Sequence, residues 1–353
     1  MSATEKKLPK LSYVLLSHNR ERYIRQAIES AFAQDYEGEL EYIFSDDCST
    51  DRTYEIIKDC VAAYKGNRKV VVTQTPHNMH LAGHTNYAVQ FATGDFVIRA
   101  DDDDLSTVDR CSVIGKAIAE HPGCSCVIAR TREFCDIDES DVLASCREKT
   151  TEQPEGVIFD VATGYDGVSE FVVANSSHQA WRIDVYRAFS PLPEDAYWID
   201  DLICMYRANV LGYCVCLPTV VVMVRIGSLN MSRGGCDNKR GFASIMRLER
   251  FNDKYYNTTY APLKKSIEEV KKYMAEVRPE VYAAAGKYFE VLDKDLKERA
   301  IWQSYWRKGI LNRLRIRRQT GSTGLFSLIR CLPMPIFALL QSSFRKLKSY
   351  IPF

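Results

Sequence analysis

The stretch on which the reading turns is VIRADDDDLS, residues 97–106. A short apolar run ends in four adjacent aspartates. Like charges at neighbouring positions repel, and enclosure raises their pKa values unless a cation or backbone amides offset it. The run is therefore either a solvated turn or the place where something positive is held. What precedes it bears on the choice.

Residues 11–17, LSYVLLS, form a short apolar strand pattern. RYIRQAIESAFAQ (22–34) repeats apolar residues at helical spacing, at Ile24, Ala27, Ile28, Ala31 and Phe32. ELEYIFS (39–45) is a second strand, followed by a helix for which Ser49 and Asp51 are cap candidates. RKVVVTQ (68–74) is a third strand, HTNYAVQFAT (84–93) a helix stopped by Gly94, and DFVIRA (95–100) the fourth strand. Strands alternating with helices in short units need crossover connections. They predict a mostly parallel sheet with helices on both faces. Ligands of such sheets bind beyond the carboxyl ends of the strands. The fourth strand delivers Asp101, Asp102, Asp103 and Asp104 to that edge, the second Asp46 and Asp47, and the first Ser17, His18 and Asn19. Three strand ends carrying polar or acidic residues weaken the solvated-turn reading.

Beyond residue 121 the periodicity loosens until YWIDDLICMYRANVLGY (197–213), a helix pattern with paired acids at its start and Gly212 as its stop. CVCLPTVVVMVR (214–225) reads as a strand. After about 240 the pattern is helical, with a new helix expected from Pro262, and a domain boundary is placed near 235–255, at the loop SRGGCDNKRG. Twelve cysteines match no paired CxxC zinc spacing. Cys124/Cys126 and Cys214/Cys216 each fall on one face of a strand pattern and read as reduced core thiols, in keeping with a cytosolic setting. The polar start, MSATEKKLPK, is not a signal-peptide pattern.

The net charge of +1 is that of neither a nucleic-acid binder nor an acidic solvating protein. It hides an asymmetry, because from Lys297 onward twelve Lys and Arg face a single acid, Glu298. The terminal apolar run, Leu325 to Leu340, is broken by Pro333 and Pro335 and contains Arg330. It falls short of the roughly 20 apolar residues a bilayer span needs. With basic residues on both sides it reads as an anchor on anionic lipid; packing back on the rest of the chain is the alternative.

Taken in order, these motifs resemble family 2 glycosyltransferases, the large inverting group with the GT-A fold. The resemblance rests on YVLLSHNRERYIRQAIESAFAQDYEGELEYIFSDDCSTDRT, NMHLAGHTNYAVQFATGDFVIRADDDDL and WIDDLICMYR, with an echo in VRIGSLNMS, and covers roughly residues 9–235. Each motif is weak alone; their order and spacing are specific. Cys48 stands where glycine is usual, Asp200 where glutamate is usual, and His18 where an aromatic ring is common.

The resemblance implies an α/β GT-A catalytic domain over residues 1–240 and a helical C-terminal region over 241–353. It implies a divalent cation, Mn²⁺ or Mg²⁺, held by Asp103 with Asp101, and a nucleotide-sugar donor, a UDP-sugar, bound by Ser17, His18, Asn19, Asp47, Asn86, Arg99, Asp101 and Asp102. Asp47 accepts from a pyrimidine imide in that reading; capping of the next helix falls to Ser49 and Asp51. Asp201 becomes the general base that inversion requires, with Asp200 beside it. Ser176, Ser177, His178, Arg182 and Arg225 are acceptor-side or phosphate candidates, although surface ion pairs are the commoner role for the two arginines. The basic tail implies a lipid-linked glycan acceptor, of the polyprenyl-diphosphate type, in cell-surface polysaccharide assembly at the inner face of the plasma membrane. Two other functions compete with this one. A sugar-nucleotide pyrophosphorylase needs a glycine-rich turn that LLSHNRERY lacks. A catalytically silent nucleotide- or lipid-binding scaffold fits less well with aspartates at 47, 103 and 201.

Overall fold

The computed structural model describes residues 7–135, 139–146, 157–159, 179–194, 199–226, 242–303, 305 and 308–319. The alternation is observed as β1 (Leu11–Ser17), α1 (Ile24–Phe32), β2 (Leu40–Asp46), α2 (Thr53–Ala63), β3 (Val70–Gln74), α3 (His80–Val89) and β4 (Phe96–Asp101). There follow β5 (Leu105–Ser106), α4 (Arg110–Glu120), β6 (Cys124–Phe134), α5 (Glu139–Ser145), β7 (Val157–Phe159), β8 (Gln179–Arg182), α6 (Asp184–Arg187), α7 (Asp200–Leu211) and β9 (Tyr213–Arg225). The chain then continues as α8 (Phe242–Val277), α9 (Pro279–Ala284), α10 (Gly286–Trp302) and α11 (Ile310–Gln319).

The sheet runs in the order β3-β2-β1-β4-β8-β6-β9-β5, with β7 paired to β9. Its first four strands are parallel, as the alternation predicts. β1 and β2 are buried along their whole length, which a central parallel strand covered on both faces requires. The other half is mixed: β8 runs antiparallel to both β4 and β6, while β6 and β9 are parallel. Ile24, Ala27, Ile28 and Ala31 of α1 close one face. Gly94 feeds β4 in beside β1, where a side chain would meet the Ser12 backbone nitrogen at 2.7 Å. Gly212 ends α7 for a similar reason, its Cα facing the Gly123 carbonyl oxygen so closely that a Cβ would stand 2.5 Å from it.

Three expectations change. The start of α2 has no side-chain cap bond at Arg52; Asp51 instead accepts from Thr53 N at 2.9 Å, and Ser49 turns toward Asp46. Pro262 does not begin a helix but lies inside α8, which tolerates the one lost backbone bond. Cys124, Cys126, Cys214 and Cys216 are free buried thiols as expected, whereas Cys135 is in a disulfide.

The chain divides into two compact units, one of residues 1–225 with 265–289 and one of 226–264 with 290–353. Within the first, α8 is tied to α7 through Arg207 Nη2 and Glu269, 3.3 Å apart. Among the described residues no helix is long and apolar enough to cross a membrane. The tail beyond 319 lies outside the described residues.

Candidate active site at the carboxyl edge of the sheet

The ends of β1 and β2 are stitched together by side chains. Asn19 takes a left-handed backbone at φ 53°, which its short polar side chain tolerates. Its Oδ1 accepts from Thr50 N at 2.8 Å, and its N–H donates to Ser49 Oγ at 2.9 Å. Asp46 is consumed by Ser49 N (2.9 Å) and Gln74 Nε2 (2.8 Å). Asp47 donates its own N–H to the Ser17 carbonyl at 2.8 Å, and one carboxylate oxygen accepts from Thr75 Oγ1 and Met79 N, both at 2.8 Å. The carboxylate is thereby fixed in one orientation. His18 is held on three sides. Its N–H donates to Asp102 Oδ2 at 2.8 Å, Nδ1 donates to the Asp47 carbonyl at 2.8 Å, and Nε2 accepts from Asn78 Nδ2 at 3.0 Å. The Nδ1–H tautomer follows from the carbonyl it faces. Ser17 is buried, and its hydroxyl has no hydrogen-bond partner.

The four aspartates divide their labour. Asp104 accepts from Arg225 N at 2.9 Å, and Arg225 Nε donates to the Asp103 carbonyl at 3.0 Å. The Arg225 guanidinium lies 4.4 Å from the Tyr23 ring and 4.6 Å from the Phe134 ring. Asp102 takes the His18 amide, and Arg20 Nε approaches Asp102 and Asp103 at 3.5 and 3.6 Å. Burial, then the neighbouring Asp103 charge, pushes Asp102 up to about 8. Burial likewise raises Asp101 and Asp103, with Arg99 and Arg20 opposing. Asp101, at 36% side-chain exposure, is the most open of the four.

The first turn of α7 is drawn to this edge by a buried ion pair. Arg99 of β4 and Asp200 are each 2% exposed and joined through Nη1 and Oδ2. Asp201 follows, with its Oδ1 accepting from Leu202 N at 2.7 Å. Burial and then the adjacent Asp200 push Asp201 up to about 8, in the range a general base uses at neutral pH.

The expected residues are thus Ser17, His18, Asn19, Asp47, Arg99, Asp101, Asp102, Asp103, Asp200 and Asp201, all on β1, β2, β4, α7 or the turns after them. Two others are engaged elsewhere. The Asn86 amide is paired with the Leu192 backbone at 2.8 and 2.9 Å. Arg182 pairs with Phe96 at the opposite end of β4 and donates to the Cys124 and Leu211 carbonyls. Ser176, Ser177 and His178 lie outside the described residues. Sequence reasoning missed Arg20, Asn78 and His84. Arg20 was legible, since a cation two residues after His18 faces the tip of the next strand. His84 was not: it is buried under the rim with Nε2 2.8 Å from Ser45 Oγ, and burial lowers it to about 4.

Among the described residues no three His, Cys, Asp or Glu side chains form a complete metal cage. A magnesium-type ion does not need one, since one or two carboxylates suffice when phosphate oxygens and water complete an octahedron. Asp101 and Asp103 fit that role as hard oxygen donors crowded by like charge.

Comparison with known proteins bears on the fold. Residues 12–160 match the family model for glycosyl transferase family 2. EpsE of Bacillus subtilis (strain 168), named as a glycosyltransferase, is 40% identical over 98 residues, 28% of this chain and 34% of that protein. The poly(ribitol-phosphate) beta-N-acetylglucosaminyltransferase TarS of Staphylococcus aureus is 32% identical over 114 residues, 32% of this chain and 19% of that protein. Both relatives are matched over about a third of their length or less. Among solved structures, S. aureus TarS 1–349 in complex with UDP-GlcNAc superposes with a TM-score of 0.51 at 16% identity, covering 96% of this chain and 92% of that one. The mannosyltransferase PcManGT from Pyrobaculum calidifontis in complex with GDP-Man and Mn²⁺ gives 0.50 at 14% identity, covering 98% and 88%. The fold is that of the GT-A glycosyltransferases, and residues 12–160 are similar to glycosyl transferase family 2.

Proposed function

We propose that the protein is a metal-dependent inverting glycosyltransferase that moves a sugar from a UDP-sugar to a hydroxyl of a glycan acceptor. The observation that carries this reading is a juxtaposition at one sheet edge. Asp101 and Asp103 at the tip of β4 stand beside Asp201 on α7, tied there by the Arg99–Asp200 pair. Asp103 and Asp101 would hold a divalent cation, which would supply Lewis-acid neutralisation of the departing diphosphate. Asp47, fixed through one oxygen, offers its carboxylate to the imide N–H of the base. His18, Asn19, Ser17 and Asp102 shape the floor on which the nucleoside lies. Asp201 takes the proton of the acceptor hydroxyl as that oxygen attacks the anomeric carbon, and Asp200 positions it. Attack opposite the leaving diphosphate inverts the centre. The UDP-GlcNAc complex of TarS and the Mn²⁺ complex of PcManGT support the donor type and the ion.

In this reading residues 1–240 are the catalytic domain and 241–353 a helical region whose basic tail meets anionic lipid. The acceptor is then a polyprenyl-diphosphate-linked glycan of surface polysaccharide, and the site of action the inner face of the plasma membrane. Support comes from the charge excess after Lys297. The tail is tested by deleting residues 319–353: loss of binding to phosphatidylglycerol vesicles is expected, and unchanged binding refutes the anchor.

The catalytic reading is tested by hydrolysis of UDP-sugars with the purified protein. EDTA and Asp103→Ala each abolish turnover, and Mn²⁺ restores the wild type. Asp201→Asn keeps UDP binding and lowers transfer by about 10²–10⁴-fold. Firm nucleotide binding without turnover on any acceptor sinks the proposal in favour of a scaffold.

A further inference from the structure

One buried polar group at this edge has no role in the chemistry above. Gln179, the first residue of β8, is fully buried, and neither the oxygen nor the nitrogen of its carboxamide has a hydrogen-bond partner. β8 pairs with β4 through Ile98 and Ala180, so Gln179 stands opposite Arg99. Opposed residues of an antiparallel ladder point to the same face. Arg99 gives Nη1 to Asp200, while its buried Nε and Nη2 have no hydrogen-bond acceptor. That face is the one α7 covers. Trp181, two residues along β8, pairs with Cys126, which pairs with Cys214, and Cys214 Sγ lies 3.2 Å from Asn209 of α7.

A buried amide left unsatisfied loses its hydration without recovering a hydrogen bond, which destabilises the fold. Packing alone does not explain its presence, since methionine fills nearly the same volume without that cost. The strand order supplies a ligand axis. A nucleotide sugar with its base at Asp47 and His18 lies over β2 and β1, and its phosphates over β4 at Asp101 and Asp103. Strands are spaced about 4.8 Å apart, so the glycosyl group falls over β8, the next strand. A carboxamide offers a donor and an acceptor side by side, which matches a hydroxyl or acetamido substituent.

Resting on the glycosyl-transfer reading, we infer that Gln179 is a specificity-determining residue that reads a hydroxyl or acetamido group of the transferred sugar. The test uses the full chain with Mn²⁺, UDP alone, and UDP-glucose, UDP-galactose and UDP-GlcNAc. Gln179→Met should leave UDP affinity within about twofold of wild type and lower kcat/KM for the preferred donor by about 10–100-fold. Discrimination among the three sugars should narrow about tenfold, because a site built to hydrogen-bond a substituent rejects its absence strongly. Unchanged sugar ranking with intact UDP binding overturns the role of Gln179 and leaves glycosyl transfer standing. Equal losses of UDP and donor affinity mark a structural residue and overturn it as well. A wild type that neither binds UDP nor turns over any donor overturns the underlying reading and this one with it. Should Gln179→Met fail to fold, Gln179→Glu, which keeps the acceptor and loses the donor, carries the same comparison.

Discussion

Two ends of the same sheet bury carboxylates and treat them oppositely. At the amino end of β2, Glu41 is 2% exposed and receives Ser12 Oγ at 2.7 Å, Thr93 Oγ1 at 2.9 Å, the Thr93 amide and Lys69 Nζ at 3.0 Å. Burial alone would raise it, but these donors outweigh burial and leave it below its ordinary value. At the carboxyl end, Asp102 receives one backbone amide and a distant arginine and sits at about 8. Glu41 is finished as a structural knot. At the β4 tip, burial and like charge outweigh the protein partners and raise Asp101, Asp102 and Asp103. What separates the two acids is whether hydrogen-bond donors outweigh burial and like charge, as they do at Glu41 and do not at Asp102.

The comparison is broken most severely at the Arg99–Asp200 pair, where both ends are buried. Arg99→Met strands Asp200 and should cost about 3–5 kcal/mol in urea unfolding, whereas Arg99→Met/Asp200→Leu recovers most of it. A single-mutant loss under about 1 kcal/mol would show that water reaches the pair.

Acid sharpens the contrast next. His84 lies under the rim and is depressed from 6.5 to about 4, by burial first. The unfolded chain takes up a proton near the ordinary value and the folded chain only near the depressed one. Stability is therefore full above 6.5 and falls as the pH drops toward 4. The loss is on the order of 3 kcal/mol. His84→Gln, which keeps a partner for Ser45, should flatten that part of the stability–pH curve; an unaltered slope would remove His84 as its source.

The smallest effect belongs to the finished end. Glu41→Gln should cost about 1–2 kcal/mol at neutral pH. Because the Glu41 carboxyl is lowered on folding, its stabilisation is present above the unfolded-state value and lost as pH falls through the folded-state value. The variant should lack that acid limb while UDP binding stays unchanged. Weakened UDP binding in Glu41→Gln would mean that the two ends are coupled.

The parallel half was legible because each unit closes within about thirty residues, with apolar runs bounded by Ser17, Asp46 and Asp101. Asp200 and Asp201 stood out because paired acids open a helix pattern. β8 was not legible: four residues, QAWR, carry no periodicity, and the strand is specified by the edges of β4 and β6. Asn86 misled for a related reason, since its amide is committed to Leu192, 106 residues away. Caps assigned to Ser49 failed because Asp46 offers a charged acceptor at the same distance in sequence.

The place of β4 has a consequence for the chain during its synthesis. By Asp101 every strand of the parallel half has emerged from the ribosome, and nascent domains fold from the amino terminus. Until Gln179 follows, the outer backbone of β4 is a bare template of the kind that recruits other polypeptides. Ionised Arg99 and Asp101 on that strand oppose such adhesion.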